Sequence, residues 1–387
     1  MTTLTNVVSK KPVRAARTTG GFIRLAADIA SFYGFRPLRE MDGGGAARAA
    51  ARTHSFGVCT SICAARVAQS GVEQLAFYAS MSPAHLPAGL HARDTAEFGL
   101  QIAGTADPLS EVVLIKTLWA ILTEWGASPT RVRVNAFGDR DSKQRFLREL
   151  GGFVRRHAAR FDEPCRRELS DNPQAPYACQ SEVCRGVMAE GPRAMNFLSE
   201  KSRLHFRALL EQMEQTALPY ELDDLLHGDE REPQVLFELD FADDNSAVRA
   251  STGGRFDDHV RRISGYKEST AVHASIFLHK RGTPREKWYS GGVAPRAYFI
   301  QLGPAAKLHG LSVVELLRRS RIPVLQSFNY SRLAPQLEAA RAAHVPYLII
   351  MGAREVLDNT VLLRRIDDNS QTTLPLSTLP KFLHTLR

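Results

Sequence analysis

The chain contains 387 residues, of which 44% are hydrophobic and 24% are charged. This length predicts two or three domains with buried cores and excludes a disordered or fibrous protein. No segment reaches the roughly 18 consecutive apolar residues of a membrane span, so no membrane partner is expected. Lys and Arg total 50 against 41 Asp and Glu. The resulting net charge of +9 fits a polyanionic partner without requiring one.

The N-terminal segment, residues 1–19, is small, polar and basic, with Lys10, Lys11, Arg14 and Arg17 and no acidic residue. No apolar core follows these cations, so a secretory signal is not predicted. We interpret the segment as a disordered basic arm. The odd number of cysteines in a long chain indicates reduced thiols and a cytoplasmic location.

Apolar residues recur at helical or strand spacing through the first 282 residues. Helices are predicted at 22–33, 61–69, 110–125, 141–160 and 199–215. Strands are predicted at 75–78, 98–102, 131–134, 235–241 and 271–278. Prolines break the stretch 82–89, which is expected to be a loop. Because strands and helices do not strictly alternate, the pattern predicts an antiparallel α+β core.

The composition changes at residues 283–294, where Gly, Pro and charged residues predict a linker. Beyond the linker, strands are expected at 297–302, 323–325, 347–351 and 361–364, and helices at 311–320 and 333–343. This alternation over residues 295–387 predicts a compact α/β domain with a mostly parallel sheet.

The cysteines fall into two groups along the chain. Cys59 and Cys63 are four residues apart, and Cys179 and Cys184 are five apart, with Cys165 nearby. Neither pair has the short Cys-x-x-Cys spacing of a zinc knuckle. The spacing therefore favours idle or buried thiols, and no metal site is predicted.

A series of short segments, collinear over residues 20–387, carries a family resemblance. In the first 282 residues the matching segments are 33–36, 97–104, 134–139, 198–206, 220–223 and 253–258, and in the tail they are 336–352 and 359–365. Together they resemble the histidyl-tRNA synthetases, which are class II aminoacyl-tRNA synthetases. The tail resembles the anticodon-binding domain that this family shares with glycyl-, threonyl- and prolyl-tRNA synthetases.

The resemblance implies a domain organisation. A class II core, an antiparallel sheet flanked by helices, is expected at 20–282, with an insert at about 160–215. An α/β anticodon-binding-like domain is expected at 295–387, after the linker at 283–294.

The resemblance also implies an active site, and this sequence departs from it. Attack of a carboxylate on the α-phosphate of ATP builds negative charge that cations must stabilise. The arginine of the family's second motif falls in the segment 82–85, where Pro83 cannot hold a phosphate. The acid that holds the substrate amino group in the family appears as Gln101, which supplies no charge for an ammonium.

Two further motifs are altered. The substrate loop of the family corresponds to 227–232, which begins with His227 and places Arg231 four positions away from the expected arginine. In the third motif, Lys280 replaces an arginine that stacks on adenine, and Phe277 stands near a family glycine. Because catalytic groups that act as a unit fail together, these changes predict a degenerate site with no catalytic residue.

The segment that begins Gly253-Gly254-Arg255 has two interpretations. It is a candidate residual ligand pocket, or it is a tight turn that packs a strand on a helix. The glycine pair favours the turn.

The tail is basic around its helix and strand ends, where the resemblance places the anticodon stem. The candidate RNA-binding residues are Arg318, Arg319, Arg321, Arg332, Arg364 and Arg365, with Phe328 and Tyr330 as aromatics that could stack on unpaired bases. An ordinary solvated basic face explains the same charge equally well.

These observations predict a non-catalytic histidyl-tRNA synthetase-like protein that binds tRNA or another structured RNA, or that regulates a partner. A homodimer is expected from the resemblance, and no cofactor or metal. One alternative is a divergent histidine–tRNA ligase, which would use ATP and Mg²⁺. Another is a protein-interaction role like that of the regulatory subunit of short-form ATP phosphoribosyltransferase, although that paralogue usually lacks the tail domain.

Overall fold

A computed structural model describes residues 18–41, 56–169, 171–179, 181–229, 231–243, 247–282, 295–327 and 332–385. The predicted linker and almost all of the predicted basic arm lie outside these ranges. Within the described ranges, no helix is long and apolar enough to cross a membrane.

An eight-stranded sheet forms the centre of the first 282 residues. Its strands are β1 Arg36–Pro37, β2 Gln74–Ser80, β3 Thr95–Ala103, β4 Ser128–Ala136, β5 Tyr220–Leu222, β6 Val235–Ala242, β7 Val248–Arg255 and β8 Ala271–His279. Their spatial order is β1-β2-β3-β8-β7-β6-β4-β5. The edge pairs β1/β2 and β4/β5 are parallel, and the inner pairs are antiparallel. The predicted antiparallel α+β core is therefore confirmed.

Helices cover both faces of this sheet. They are α1 Thr19–Phe32, α2 Leu38–Met41, α3 Phe56–Ser70, α4 Leu109–Trp125, α5 Arg140–Arg156, α6 Glu163–Glu168, α7 Ala175–Ala178, α8 Glu182–Ala189, α9 Glu200–Gln215 and α10 Asp257–Ser264. Helices α1, α4 and α9 share one apolar core with the sheet. Helices α3 and α10 close the opposite face through a smaller core.

Strand β3 shows how the sequence assigns side chains to the two faces. Successive side chains of a strand point to opposite sides. Phe98, Leu100 and Ile102 accordingly enter the core beneath α1 and α4. Glu97 and Gln101 alternate with these residues and therefore point to the opposite face, toward α3. Every residue of the strand is buried.

The segment after α5 forms a small separate unit, which we call the insert. It contains the short helices α6, α7 and α8 and its own apolar cluster, which includes Phe161, Leu169, Val187 and Met188. Phe146 and Phe153 of α5 close this cluster on the sheet side.

The tail contains a second sheet with five strands. Its strands are β9 Ala297–Gln301, β10 Val324–Gln326, β11 Tyr347–Met351, β12 Thr360–Arg365 and β13 Gln371–Pro375, and its helices are α11 Pro304–Arg319, α12 Leu333–Ala342, α13 Ala353–Asp358 and α14 Leu379–Thr385. The order is β10-β9-β11-β12-β13.

The tail sheet is mixed. The pairs β10/β9 and β9/β11 are parallel, as predicted, whereas β11/β12 and β12/β13 are antiparallel. Helix α13, which connects β11 to β12, has only six residues and is too short for the crossover that two parallel strands require. Strand β12 therefore runs antiparallel to β11. Helix α11 starts at Pro304, earlier than predicted, and α13, β13 and α14 were not predicted.

Core and tail pack directly against each other. The Tyr33 hydroxyl, at the end of α1, donates a hydrogen bond of 2.6 Å to Oε2 of Glu315 in α11. Lys307 Nζ lies 3.6 Å from Oδ2 of Asp107. The main apolar cluster is continuous across this junction.

Candidate functional site

The face of the large sheet beneath α3 and α10 carries a set of buried polar side chains. We call it the α3 face. Strand register places its members side by side, because Gln101 pairs with His273, and Glu97 pairs with Phe277. On the other side of β3, Tyr78 pairs with Gly99. Residues directly opposite each other in adjacent strands share a face.

Glu97 is the centre of a hydrogen-bond network on the α3 face. Its Oε1 accepts a bond of 2.8 Å from the Tyr78 hydroxyl and one of 2.5 Å from Oγ of Ser275. The Tyr78 oxygen also lies 3.0 Å from Nε2 of His273. When Tyr78 donates to Glu97, its oxygen accepts from the protonated Nε2 tautomer of His273.

Burial dominates the titration of these groups. It raises the pKa of the Glu97 carboxyl, although the bonds from Ser275 and Tyr78 oppose the shift. It also raises the pKa of Tyr78, and the neighbouring Glu97 charge adds to that effect. Burial and the charge of Arg231 lower the pKa of His273 well below its usual value. His273 is therefore neutral at physiological pH.

Aromatic rings fill the space above the network. A Cβ placed on Gly99 would lie 2.3 Å from Cζ of Tyr78, so the tyrosine ring occupies the space directly over that glycine. The centre of the Phe56 ring lies 4.7 Å from the centre of the His273 ring and 5.4 Å from that of Phe256. Among the described residues, the rings of Tyr78, Phe56 and Phe256 therefore pack over the network as side chains of a core do.

Gln101, the residue that replaces the expected acid, is fully buried in this face. Its Oε1 accepts a 3.0 Å hydrogen bond from Oγ1 of Thr60 in α3, whereas its Nε2 has no partner among the described residues. The amide therefore binds the helix that covers it and brings no charge to the site.

Arg231 reaches the α3 face despite its shifted position in sequence. Its guanidinium carbon lies 4.8 Å from the centre of the Phe256 ring and 5.1 Å from that of Phe56. Its Nη2 lies 2.6 Å from Oδ2 of Asp229. The cation thus covers the aromatic layer and is already paired with an acid.

The other candidate active-site residues are separated from the network. His227 stacks on Tyr177 of the insert with ring centres 4.8 Å apart, and burial lowers the pKa of His227 to about 4. Lys280 Nζ donates to the backbone carbonyls of Ala92 and Arg93 at 2.6 and 2.9 Å.

The two apolar candidates are both buried. Pro83 lies in the predicted loop after β2, and Phe277 is 2% exposed on β8, beside Glu97.

The turn interpretation of the segment that begins at Gly253 is wrong. Gly253 and Gly254 lie within strand β7. A Cβ on Gly253 would lie 2.6 Å from Cβ of Ala274 and 2.6 Å from Cζ of Phe237. One on Gly254 would lie 2.4 Å from a backbone oxygen of the neighbouring strand. The glycines are therefore explained by close packing between strands.

Arg255 is part of a buried ion pair on the side of the sheet that α4 covers. Its Nε and Nη2 donate to the two carboxylate oxygens of Glu111 at 2.7 and 2.8 Å. Its Nη1 lies 3.3 Å from Oδ1 of Asp257. His205 Nε2 lies 2.7 Å from the same Glu111 carboxylate. The donors of Arg255 are used by the protein itself, although the side chain also borders a cavity of about 450 Å³.

A larger cavity, of about 630 Å³, opens between α5, α10 and the loop that contains His227. Lys143 and Arg261 bring positive charge to its wall, and Asp229 and Asp258 bring negative charge. Lys143 Nζ donates to the carbonyl of Glu232 at 2.6 Å. This mixed lining does not identify a ligand class.

The candidate RNA-binding arginines of the tail divide into two groups. Arg318 is 7% exposed and pairs with Glu315 and with Glu124 of α4, and Arg321 lies 5.9 Å from the Phe32 ring of α1. Both residues contact the core at the junction, Arg318 as a buried side chain and Arg321 as an exposed one. The others are exposed or half-exposed: Arg319, Arg332, Arg364 and Arg365. Phe328 and Tyr330 lie outside the described residues.

Residues that the sequence analysis did not single out form the network itself: Phe56, Tyr78, Glu97, His273 and Ser275. The available signal was the polar residues at alternate positions of β3 and β8, two strands that are otherwise apolar.

Comparison with known proteins gives a family match in the tail and sequence matches over most of the chain. Residues 298–386 match the family model described as "Anticodon binding domain". A histidine–tRNA ligase of Chlorobium phaeobacteroides (strain BS1) is 26% identical over 313 residues, which cover 79% of this chain and 71% of that relative. A histidine–tRNA ligase of Rhodospirillum rubrum is 25% identical over 333 residues, or 85% of this chain and 79% of that relative. The apo histidyl-tRNA synthetase structure from S. aureus aligns over 99% of both chains, with 13% identity and a TM-score of 0.47.

Proposed function

We propose that this histidyl-tRNA synthetase-like chain, which ends in an anticodon-binding domain, does not activate an amino acid and acts by binding structured RNA. The packed α3 face is the observation that carries the first half of the proposal. The anticodon-binding domain and its exposed arginines support the second half. The homodimer and a protein partner are predictions from the resemblance, and the cytoplasmic location is a prediction from the odd number of cysteines.

An aminoacyl-adenylate site requires donors and cations that remain available to the triphosphate. In this chain the cations near the expected positions are already used. Arg231 pairs with Asp229, and Lys280 donates to two backbone carbonyls. Arg255 donates to Glu111 within the core. ATP would have to break these contacts before any of the three cations could bind a phosphate.

The residues expected to bind the amino acid are also unsuited to a charged substrate. Gln101 has no charge to bind an ammonium group and is covered by α3. The carboxyl of Glu97 is 4% exposed and accepts hydrogen bonds from Tyr78 and Ser275. A substrate ammonium would compete with these two donors for Oε1 of Glu97, beneath the Phe56 ring that packs against His273.

Histidine-dependent ATP–pyrophosphate exchange tests the first half directly. We expect no exchange above the background without histidine, at any ATP or Mg²⁺ concentration. Exchange that requires histidine would contradict the proposal and support the divergent ligase. Because the assay needs no tRNA, its result does not depend on the tail domain.

The tail supplies the RNA-binding surface in this proposal. Arg365 is exposed and Arg364 is half-exposed on β12, and Arg319 is 73% exposed at the end of α11. Two of these arginines have polar partners on the surface. Arg365 Nη1 lies 3.5 Å from Oδ2 of Asp368, and Arg364 Nη2 donates to Oδ1 of Asn369 at 2.6 Å. Exposed pairs of this kind contribute little, so phosphates can replace them.

A tRNA titration at several salt concentrations tests the second half. We expect salt-dependent binding, because each phosphate that the protein binds releases counterions. Replacing Arg364 and Arg365 with Glu should weaken binding and reduce the salt slope by about 1 for each phosphate that the variant no longer binds. Arg93→Glu is the matched control, since Arg93 is 82% exposed on the core. Binding that is absent at low salt, or that both variants weaken equally, would contradict a role for the tail.

A further inference from the structure

Three cysteines that are close in the sequence but belong to different segments converge in the insert. Cys165 lies in α6, Cys179 follows α7, and Cys184 lies in α8. Their sulfur atoms all lie within 4.8 Å of one another. Among the described residues, they form the one group of three or more His, Cys, Asp or Glu ligand atoms close enough to share a metal ion. Cys165 and Cys184 are buried, and Cys179 is half-buried.

An acidic side chain lies beside this group, outside the set of three whose ligand atoms are all within 4.8 Å of one another. Oδ2 of Asp162, the residue before α6, lies 3.8 Å from Sγ of Cys184. Tetrahedral zinc with Zn–S bonds of about 2.3 Å separates its sulfur ligands by about 3.8 Å, so only small movements would bring these atoms to bonding distance. The backbone N–H of Ser181 also points at Sγ of Cys179, at 3.5 Å. Metal-bound sulfur atoms are commonly held by hydrogen bonds from their surroundings.

We propose that Cys165, Cys179 and Cys184, together with Asp162, form a structural zinc site that fastens the helices of the insert to one another. Three thiolates and one carboxylate are a ligand set that suits Zn²⁺, and four protein ligands leave no open position for a substrate. The site is therefore structural and lies apart from the α3 face.

The three thiols also influence one another's pKa values. The hydrogen bond from Ser181 and the neighbouring thiol of Cys165 lower the pKa of Cys179, whereas burial and the other two thiols raise that of Cys165 to about 12. Without a cation, the group tolerates one thiolate more readily than three. A divalent ion removes this repulsion and releases the protons as it binds.

The insert has a physical need for such a site. Its helices α6, α7 and α8 contain six, four and eight residues, which is too short for stability on their own. The apolar cluster around Phe161, Val187 and Met188 draws several of its members from α5 and the large sheet. A metal that joins three segments would contribute directly to the folding of this unit. The sequence spacing concealed the site because its ligands come from separate short helices.

Metal analysis of the purified full-length chain tests the proposal. After expression with added zinc and removal of loosely bound metal, we expect about one zinc per chain. Cys184→Ala should reduce the zinc content to near zero. Cys63→Ala is the matched control, because both cysteines are fully buried within helices and only Cys184 belongs to the cluster. Zinc that is absent from the unmodified chain, or equally reduced in both variants, would overturn the proposal.

A second measurement does not depend on whether a variant folds. Replacing zinc with cobalt in the unmodified chain should produce the charge-transfer absorption of thiolate-bound, tetrahedral Co²⁺, and a chelator should abolish it. Mass spectrometry of the alkylated, unreduced protein should find all five cysteines reduced after the metal is removed. An absent cobalt–thiolate spectrum, or a disulfide within the cluster, would show that the sulfurs meet for another reason.

Discussion

Removing the guanidinium of Arg255 tests whether this residue serves the core or a ligand. Arg255 is 3% exposed and holds both carboxylate oxygens of Glu111, which is itself fully buried. The variant Arg255→Met keeps most of the apolar stem but leaves the Glu111 carboxylate without its main partner. Removing one partner of a buried ion pair typically costs about 3–5 kcal/mol of unfolding free energy.

Two remaining contacts of Glu111 should limit the loss of unfolding free energy in Arg255→Met. Ser110 Oγ still donates to the carboxylate at 2.9 Å, and His205 Nε2 lies 2.7 Å from it. These two contacts would partly replace the hydrogen bonds that Arg255 no longer donates. We therefore expect a loss of about 3 kcal/mol near neutral pH, at the lower end of the range.

The pH dependence has a definite sign. Burial alone would raise the pKa of Glu111, but Arg255 and His205 outweigh it and hold the pKa well below its usual value. In the unmodified chain this carboxylate therefore stabilises the fold above about pH 4.3 and loses that contribution as the pH falls further. In Arg255→Met the carboxyl takes up a proton more readily. The stability difference between the two proteins should accordingly narrow as the pH is lowered from 7 toward 4.

Urea unfolding followed by circular dichroism measures these differences. Arg203→Met is the control, because Arg203 is 56% exposed in an i,i+3 pair on α9 and should cost at most about 0.5 kcal/mol. The double variant Glu111→Leu/Arg255→Met should be more stable than Arg255→Met, since it removes the unpaired charge. An Arg255→Met protein as stable as the control variant would refute the assignment of Arg255 to the core.

Two further predictions follow from packing and titration. Gly253→Ala should lower the unfolding free energy by about 1–3 kcal/mol, because the new Cβ would clash with Ala274, Phe237 and a backbone oxygen. Gly57→Ala in α3 is the control, because its new Cβ meets nothing within 4 Å. In the same urea experiment this control should be neutral or stabilising. The neutral, buried His227 should make the protein less stable as the pH falls from about 6.5 to about 4, by up to about 3 kcal/mol. His227→Phe should retain the stacking on Tyr177 and flatten that part of the stability–pH curve, and an unchanged curve would exclude His227 as its source.

Local patterns in the sequence predicted most elements because those elements are long and periodic. Strand β3 and helix α4 appear within a few residues of their expected bounds. Strand β13, Gln371–Pro375, was missed because it is exposed at the edge of its sheet and has no apolar alternation. Helices α13 and α14 contain six and seven residues and are too short to show a helical period.

The candidate sites were harder to predict, because they depend on which residues the fold brings together. Tyr78, Glu97 and His273 become neighbours only through the register of β2, β3 and β8, which is set by contacts far apart in the chain. The three cysteines of the insert meet because the fold packs the short segments that carry them against one another. Arg318 is an instructive exception. It follows Val314 and Leu317, both buried, so the helical phase of α11 already points its side chain inward.

The state of its polar groups distinguishes the α3 face from a site prepared for a charged substrate. Such a site keeps donors directed at the place where charge will develop, and their cost is compensated when the ligand binds. Here Glu97 accepts bonds from Tyr78 and Ser275, and Arg231 is paired with Asp229. Breaking these contacts would oppose substrate binding by as much as they stabilise the fold. Under our proposal the α3 face is therefore part of the hydrophobic core, and the exposed charge of the tail is the better place to look for a partner.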